Sequence, residues 1–169
     1  KIVKMVDPLR ITLFGGLTIT RNGQSINLLT RKNEALFAYL ACHPQQAIRR
    51  ELLAALFWSE KDEKNAMGNL RTSLSGLRNV SQHLEIERFS VTVPASEQLW
   101  VDILAFEKLE QITLLTSPSG LLTESELTAL TEAAKLYRGA FLQGFTLRES
   151  EGFDEWARKQ RERFHISIT

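Results

Sequence analysis

The chain has 169 residues, a formal net charge of +1, 43% apolar residues and 24% charged residues, a composition typical of a globular protein with one domain or two small ones. It contains no apolar run near the roughly 20 residues that a membrane span needs. Its single cysteine, Cys42, excludes an internal disulfide framework. We therefore expect a cytoplasmic protein with no membrane association.

The charges are unevenly distributed along the chain. Residues 1–100 carry 13 Lys/Arg and 9 Asp/Glu, a net charge of +4, whereas residues 101–169 carry 8 and 11, a net charge of −3. This division indicates two modules with different partners. The modest positive charge of the first module favours nucleic-acid binding only weakly.

Three short strands are predicted first, because apolar and polar residues alternate over 9–14, 17–20 and 25–28. Asn22-Gly23 is a strong hairpin signal between the last two. Thr30 is a plausible N-cap for a helix that ends near His43. A second short helix is predicted from Arg49 to Trp58. The residues expected to face inward from these helices are Leu36, Phe37, Leu40, Leu52, Leu53 and Leu56.

A third helix with an unusual surface is predicted over residues 63–81. Its apolar stripe consists of Ala66, Leu70, Leu74 and Leu77. The opposite face is short and polar, and its flank carries Lys64, Arg71 and Arg78 at seven-residue spacing. Long Glu and Lys side chains are usual on a surface helix, whereas small hydrogen-bonding groups with a basic edge suit a helix that enters a DNA major groove. A solvated face of unusual composition is the alternative.

The chain continues with a predicted hairpin (84–87 and 90–93), a short strand (99–101) and three helices (102–115, 124–138 and 150–166). The stretch 117–120 has a linker-like composition. The order of elements predicts a winged helix-turn-helix with an N-terminal antiparallel sheet over residues 1–101, followed by an all-α part over 102–169. In that arrangement the third helix is the recognition helix.

Several stretches together resemble the streptomycete antibiotic regulatory protein type of transcriptional regulator. The matching stretches are 9–16, 30–32 with 36–41, 51–58, 69–71 with 74–78, 100–102 with Phe106, 136–145, and 153–156 to 161–163. The resemblance implies a winged helix of the response-regulator type, followed by the shortened start of a tetratricopeptide-like bacterial transcriptional activation domain. Thr72 and Gly76 depart from the family pattern, which often has Arg at these positions, and Arg49 stands where a Ser or Thr cap is usual.

The resemblance also implies a sequence-specific regulator that binds double-stranded DNA. For the helical part it implies protein contacts, with RNA polymerase, another protein or a second copy of the chain as alternatives. No cofactor or metal is expected, because the three histidines lack neighbours at ligand spacing, and no catalytic motif indicates an enzyme. The rival hypothesis is an interaction module that has lost DNA binding and forms the front of a larger signalling protein.

The candidate DNA-binding residues are of three kinds. On the third helix, Arg side chains suit guanine or phosphate, Asn suits adenine and Thr suits a thymine methyl group; these candidates are Lys64, Asn69, Arg71, Thr72, Ser75 and Arg78. Cations at helix N-termini oppose the helix dipole, which a bound phosphate or a local acid would relieve; these candidates are Arg31, Lys32, Arg49 and Arg50. Arg88, at the hairpin tip, is placed to reach a minor groove or the DNA backbone.

Overall fold

The protein is described by a computed structural model that covers residues 8–114 and 121–168. Its first sheet contains β1 (Leu9–Thr12), β2 (Thr18–Arg21), β3 (Gln24–Ser25) and a fourth strand, Leu99–Val101, which becomes β7 in chain order. The order is β3-β2-β1-β7. Strands β1 to β3 pair antiparallel, as predicted, but β7 runs parallel to β1 with Leu9 opposite Leu99. The prediction of a wholly antiparallel sheet is therefore wrong, because a long helical crossover returns the chain in the same direction.

Three helices and a second sheet lie between β3 and β7. The elements are α1 (Arg31–Ala41), β4 (Ile48–Arg49), α2 (Arg50–Phe57), α3 (Glu63–Gly76), β5 (Glu85–Ile86) and β6 (Ser90–Thr92). Thr30 caps α1 as predicted, since its hydroxyl accepts a hydrogen bond from the Asn33 amide at 3.0 Å. The third predicted strand ends at Ser25 rather than at residue 28, and the chain turns at Leu29, whose φ is +73°.

Helix α3 is shorter than predicted. It ends at Gly76, and after Leu77 a 3₁₀ segment runs from Arg78 to His83. The end of the helix lies close to α1, because a Cβ on Gly76 would be 2.6 Å from the Asn33 side-chain nitrogen. Serine and glycine are poor residues for extending a helix, and the sequence there is Ser75-Gly76. The predicted inner stripe is nevertheless confirmed, because Ala66, Leu70, Leu74 and Leu77 are all buried.

The second part of the chain contains α4 (Asp102–Leu114), α5 (Glu124–Leu136) and α6 (Glu151–Ile168). Helix α5 begins with a capping box, in which the Thr123 hydroxyl and the Glu126 carboxylate bind each other's backbone amides. The helical second part is confirmed, with α5 and α6 ending within two residues of the predicted positions. Residue 115 and the linker-like stretch 117–120 lie outside the described residues.

One hydrophobic core extends across both parts of the chain. The Phe14 ring at the end of the first sheet contacts Phe106 of α4 and Phe164 of α6. The backbone is joined too, because the Gly15 amide donates to the Ala140 carbonyl at 3.0 Å. Asp102, which is buried, accepts hydrogen bonds from the Leu13 and Phe14 amides. The boundary predicted at 101/102 therefore lies between β7 and α4, within a shared core.

Candidate nucleic-acid interface

Five of the eleven predicted contact residues lie on α3. Those that are exposed are Lys64, Arg71, Thr72 and Ser75, while Asn69 is half-buried. Within the described ranges Lys64 and Arg71 form no ion pair. The Asp62 carboxylate caps the helix by accepting a hydrogen bond from the Asn65 amide at 3.1 Å. Helix α3 therefore presents a polar and cationic face whose arginine is not neutralised by a local carboxylate.

Thr72 uses its hydroxyl within the helix. The Thr72 Oγ1 atom donates to the Gly68 carbonyl at 3.2 Å, a common arrangement for threonine in a helix. The methyl group is then the part of this side chain that remains for an external contact. This arrangement is compatible with the thymine contact predicted for Thr72.

Arg78 is not on α3, although the seven-residue spacing placed it there. It opens the 3₁₀ segment, so its direction relative to Arg71 is no longer set by one helix. Arg78 is exposed and lies with Ser75, Gly76 and Leu29 around a surface cleft of about 470 Å³. The neighbouring Asn79 anchors this segment by donating to the Asn27 carbonyl at 2.8 Å. Arg78 thus lies beyond the C-terminal end of α3, beside the connection into α1.

Arg31 and Lys32 are held by the second part of the chain and by α2. The Arg31 guanidinium lies 4.6 Å from the centre of the Phe145 ring and donates to the Thr146 carbonyl at 3.4 Å. The Lys32 ammonium lies 5.1 Å from the Trp58 ring. Burial lowers the pKa of Lys32, and the nearby Glu149 carboxylate opposes that shift. Both cations, predicted to bind phosphate, already have partners within the protein.

Arg49, Arg50 and Arg88 belong to one neighbourhood. Arg49 lies in β4 opposite Ser90 of the hairpin, and its guanidinium is 3.4 Å from the Glu51 carboxylate. The Arg50 amide donates to the carbonyl of Phe89 at 2.9 Å, which joins the start of α2 to the hairpin tip. The structure thus brings together a helix start and a hairpin tip that the sequence analysis considered separately. Strand β4, which makes this junction, was not predicted, since two residues are too few for an alternating pattern.

Two further features at this surface were missed by the sequence analysis. Phe89 is 68% exposed at the hairpin tip, and Leu29 is 73% exposed beside the end of α3. Leu52 also differs from the prediction, because it was expected to face inward and is 50% exposed on α2. An apolar residue in a short loop or a two-turn helix gives no periodic signal of the side it faces.

A histidine behind the 3₁₀ segment is largely removed from solvent. The His83 Nε2 atom lies 3.4 Å from an Arg21 guanidinium nitrogen of β2. Burial lowers the pKa of His83, and the Arg21 charge lowers it further. His83 therefore connects the end of the 3₁₀ segment to the first sheet as a neutral side chain at pH 7 and adds no charge to the surface.

Across residues 8–114 and 121–168, no three His, Cys, Asp or Glu side chains are grouped as a metal would require. No helix in the same ranges combines the length and apolar character needed to cross a membrane.

The fold is shared with a solved structure. The chain matches EmbR of Mycobacterium tuberculosis, solved in complex with a low affinity phosphopeptide, with a TM-score of 0.75 and 19% sequence identity. The match covers 94% of this chain and 43% of that chain, so the present chain spans less than half the length of EmbR. No family model matches the sequence, and no curated protein matches it either. At this identity the similarity establishes a shared mixed α/β fold, with an N-terminal sheet and a helical second part.

Proposed function

We propose that the chain is the DNA-binding part and the first helical part of a transcriptional regulator of the streptomycete antibiotic regulatory protein type. The observation that carries this proposal is the surface of α3. The helix buries its apolar stripe and exposes Lys64, Arg71, Thr72 and Ser75, with no ion pair to the two cations in the described ranges. Short polar groups beside unneutralised cations are the chemistry that a DNA major groove accepts.

In the proposed mechanism α3 is the recognition helix and the β5–β6 hairpin is the wing. Arg71 contacts a base edge or a phosphate, and Arg78 contacts the DNA backbone past the end of the helix. Arg50 lies at the start of α2, where a guanidinium beside the positive end of the helix dipole favours a phosphate. Arg31 and Lys32 are assigned a different role, because their contacts with Phe145 and Trp58 join the first part of the chain to the second and to α2.

The helical part is proposed to contact another protein, with RNA polymerase or a second copy of the chain as candidates. Its support is a group of exposed leucines at the start of α5 and along it, namely Leu121, Leu122, Leu127 and Leu130. Exposed apolar groups of this kind are typical of protein-binding surfaces.

The second candidate function is an interaction module without DNA binding. It is favoured by the internal contacts of Arg31, Lys32 and Arg49, which reduce the free positive charge of the first part. The two hypotheses differ in one measurable property. A DNA-binding domain loses affinity as salt rises, because phosphate contacts release counterions.

The test is selection of duplexes from random sequence, followed by anisotropy titrations of the selected duplex across a range of salt. Arg71→Ala should weaken binding. If Arg71 reads a base, the loss of binding free energy should be about 1–3 kcal/mol and should depend on one base position. If Arg71 binds phosphate, the loss should be the same for all DNA sequences, and the salt slope should fall by about one unit. Arg158→Ala on α6, which also removes an exposed arginine, is the matched control and should bind normally. If the wild-type protein binds no duplex at low salt, the interaction-module hypothesis is supported instead.

A further inference from the structure

One aromatic side chain has no partner in the core. Phe89 is 68% exposed in the turn of the β5–β6 hairpin, whereas every other phenylalanine in residues 8–114 and 121–168 is buried. Full burial of a phenylalanine side chain stabilises a protein or complex by about 1.5–3 kcal/mol. An exposed phenylalanine at the tip of a hairpin does not contribute this free energy of burial in the free protein. The same side chain can contribute it when it becomes buried in a complex.

The surroundings of Phe89 are cationic on the side of α2. The Arg88 guanidinium lies 5.1 Å from the centre of the Phe89 ring, so the aromatic and the cation form one contact unit. The Phe89 carbonyl accepts from the Arg50 amide, which fixes the hairpin tip against the start of α2. The Phe89 ring is thus paired with one guanidinium, that of Arg88, and is fixed through its backbone to the N-terminal end of α2.

Two carboxylates on the same hairpin restrict how DNA can approach it. Glu85 lies opposite Thr92, away from the turn, and Glu87 begins the turn by donating its amide to the Ser90 carbonyl at 2.9 Å. Both repel phosphates, so the hairpin cannot rely on a row of backbone contacts. An apolar contact must then supply part of the binding free energy at its tip.

We infer that Phe89 is a DNA-contacting residue, and that its ring packs against the apolar sugar edges of the minor groove while Arg88 reaches the adjacent phosphate. This inference rests on the proposed DNA-binding function and adds the apolar half of the wing contact. Apolar side chains at a minor-groove surface are an established way for proteins to bind and deform duplex DNA. The occupant is duplex DNA rather than a protein, because the ring is flanked by the Arg88 guanidinium and by the N-terminal end of α2, the positive end of the helix dipole.

The experiment compares four variants of the full chain on one fluorescein-labelled duplex, obtained by wild-type selection from random sequence. Phe89→Ala should weaken binding about tenfold or more. It should leave the salt slope unchanged, since a neutral side chain releases no counterion. Arg88→Gln should lower the salt slope by about one unit. Phe89→Leu should retain part of the lost affinity. Ile166→Ala, which removes an exposed isoleucine from α6, is the matched control and should bind as the wild type does.

Hydroxyl-radical footprinting locates the contact. The wild-type protein should protect sugars of the minor groove at the edge of the footprint, and Phe89→Ala should lose that protection alone. The inference is overturned if Phe89→Ala binds and protects DNA as Ile166→Ala does. It is also overturned if Phe89→Ala lowers the melting temperature of the free protein along with the affinity, which would show a structural role. Failure of the wild-type protein to bind any duplex would refute the proposed function itself, and that outcome is seen before any variant is compared.

Discussion

Replacement of Leu70 by alanine tests the orientation of α3, on which every groove contact depends. Leu70 is fully buried, and truncation of a buried leucine costs about 2.7–5 kcal/mol, with the larger values where the cavity cannot collapse. For a chain of this size each kcal/mol lowers the melting temperature by about 2–4 °C. Leu70→Ala should therefore lower the melting temperature by roughly 5–20 °C in a thermal scan followed by circular dichroism.

The matched control is Leu127→Ala on α5, where the same side chain is 57% exposed. A surface substitution of this kind changes stability by about 0.5 kcal/mol or less, so its melting temperature should stay within about 2 °C of the wild type. Equal shifts for the two variants would show that Leu70 does not face the core. The outward direction of Arg71 and Thr72 would then be wrong as well.

Three further predictions concern the stability of the fold. Burial raises the pKa of Asp102, against the opposing effect of its backbone hydrogen bonds. When the pKa is higher in the folded state, the contribution of this group to stability is greatest at pH values below the unfolded-state pKa. That contribution is lost as pH rises through the folded-state pKa. Asparagine does not titrate, so Asp102→Asn lacks this pH-dependent loss of stability. The difference in unfolding free energy between the wild type and Asp102→Asn, measured by urea unfolding, should therefore become smaller as pH rises. A difference that stays constant with pH would contradict the raised pKa of Asp102. A Cβ on Gly152 would lie 3.0 Å from the Leu56 Cα atom, so Gly152→Val should cost about 1–3 kcal/mol. Gly68→Ala, where nothing lies within 4 Å, should instead stabilise α3 by up to about 1 kcal/mol, and loss of stability there would refute the open space described around it.

The parts of the fold that could be predicted are those with a repeating pattern. The stripe from Ala66 to Leu77 identified the inner face of α3, and the Thr30 cap identified the start of α1. The end of α3 could not be read from the pattern, because Leu77 continues the apolar spacing while the backbone leaves the helix after Gly76. The spacing was correct for burial but not for the direction of Arg78.

The contacts that could not be predicted join residues far apart in the chain. At the start of α1 the sequence predicts a bound phosphate or a local acid as the partner of Arg31, yet the Arg31 side chain packs on Phe145. Nothing in the sequence around Arg31 indicates that partner. The junction of Arg50 with Phe89 is of the same kind, since it depends on β4 pairing with the hairpin. Tertiary contacts therefore decide which arginines remain available for the proposed DNA contacts.

The parallel pairing of β1 with β7 has a consequence for synthesis on the ribosome. β1 is an inner strand of its sheet, and one of its two edges is completed only when residues 99–101 arrive. At about 5–20 residues per second, roughly 5–18 s pass between the synthesis of Leu9 and that of Leu99. During that interval the open edge of β1 is available for pairing with other chains. We expect nascent chains arrested before residue 99 to be prone to aggregation and those arrested well beyond it to be protected. Aggregation during synthesis is therefore expected mainly before the second part of the chain is translated.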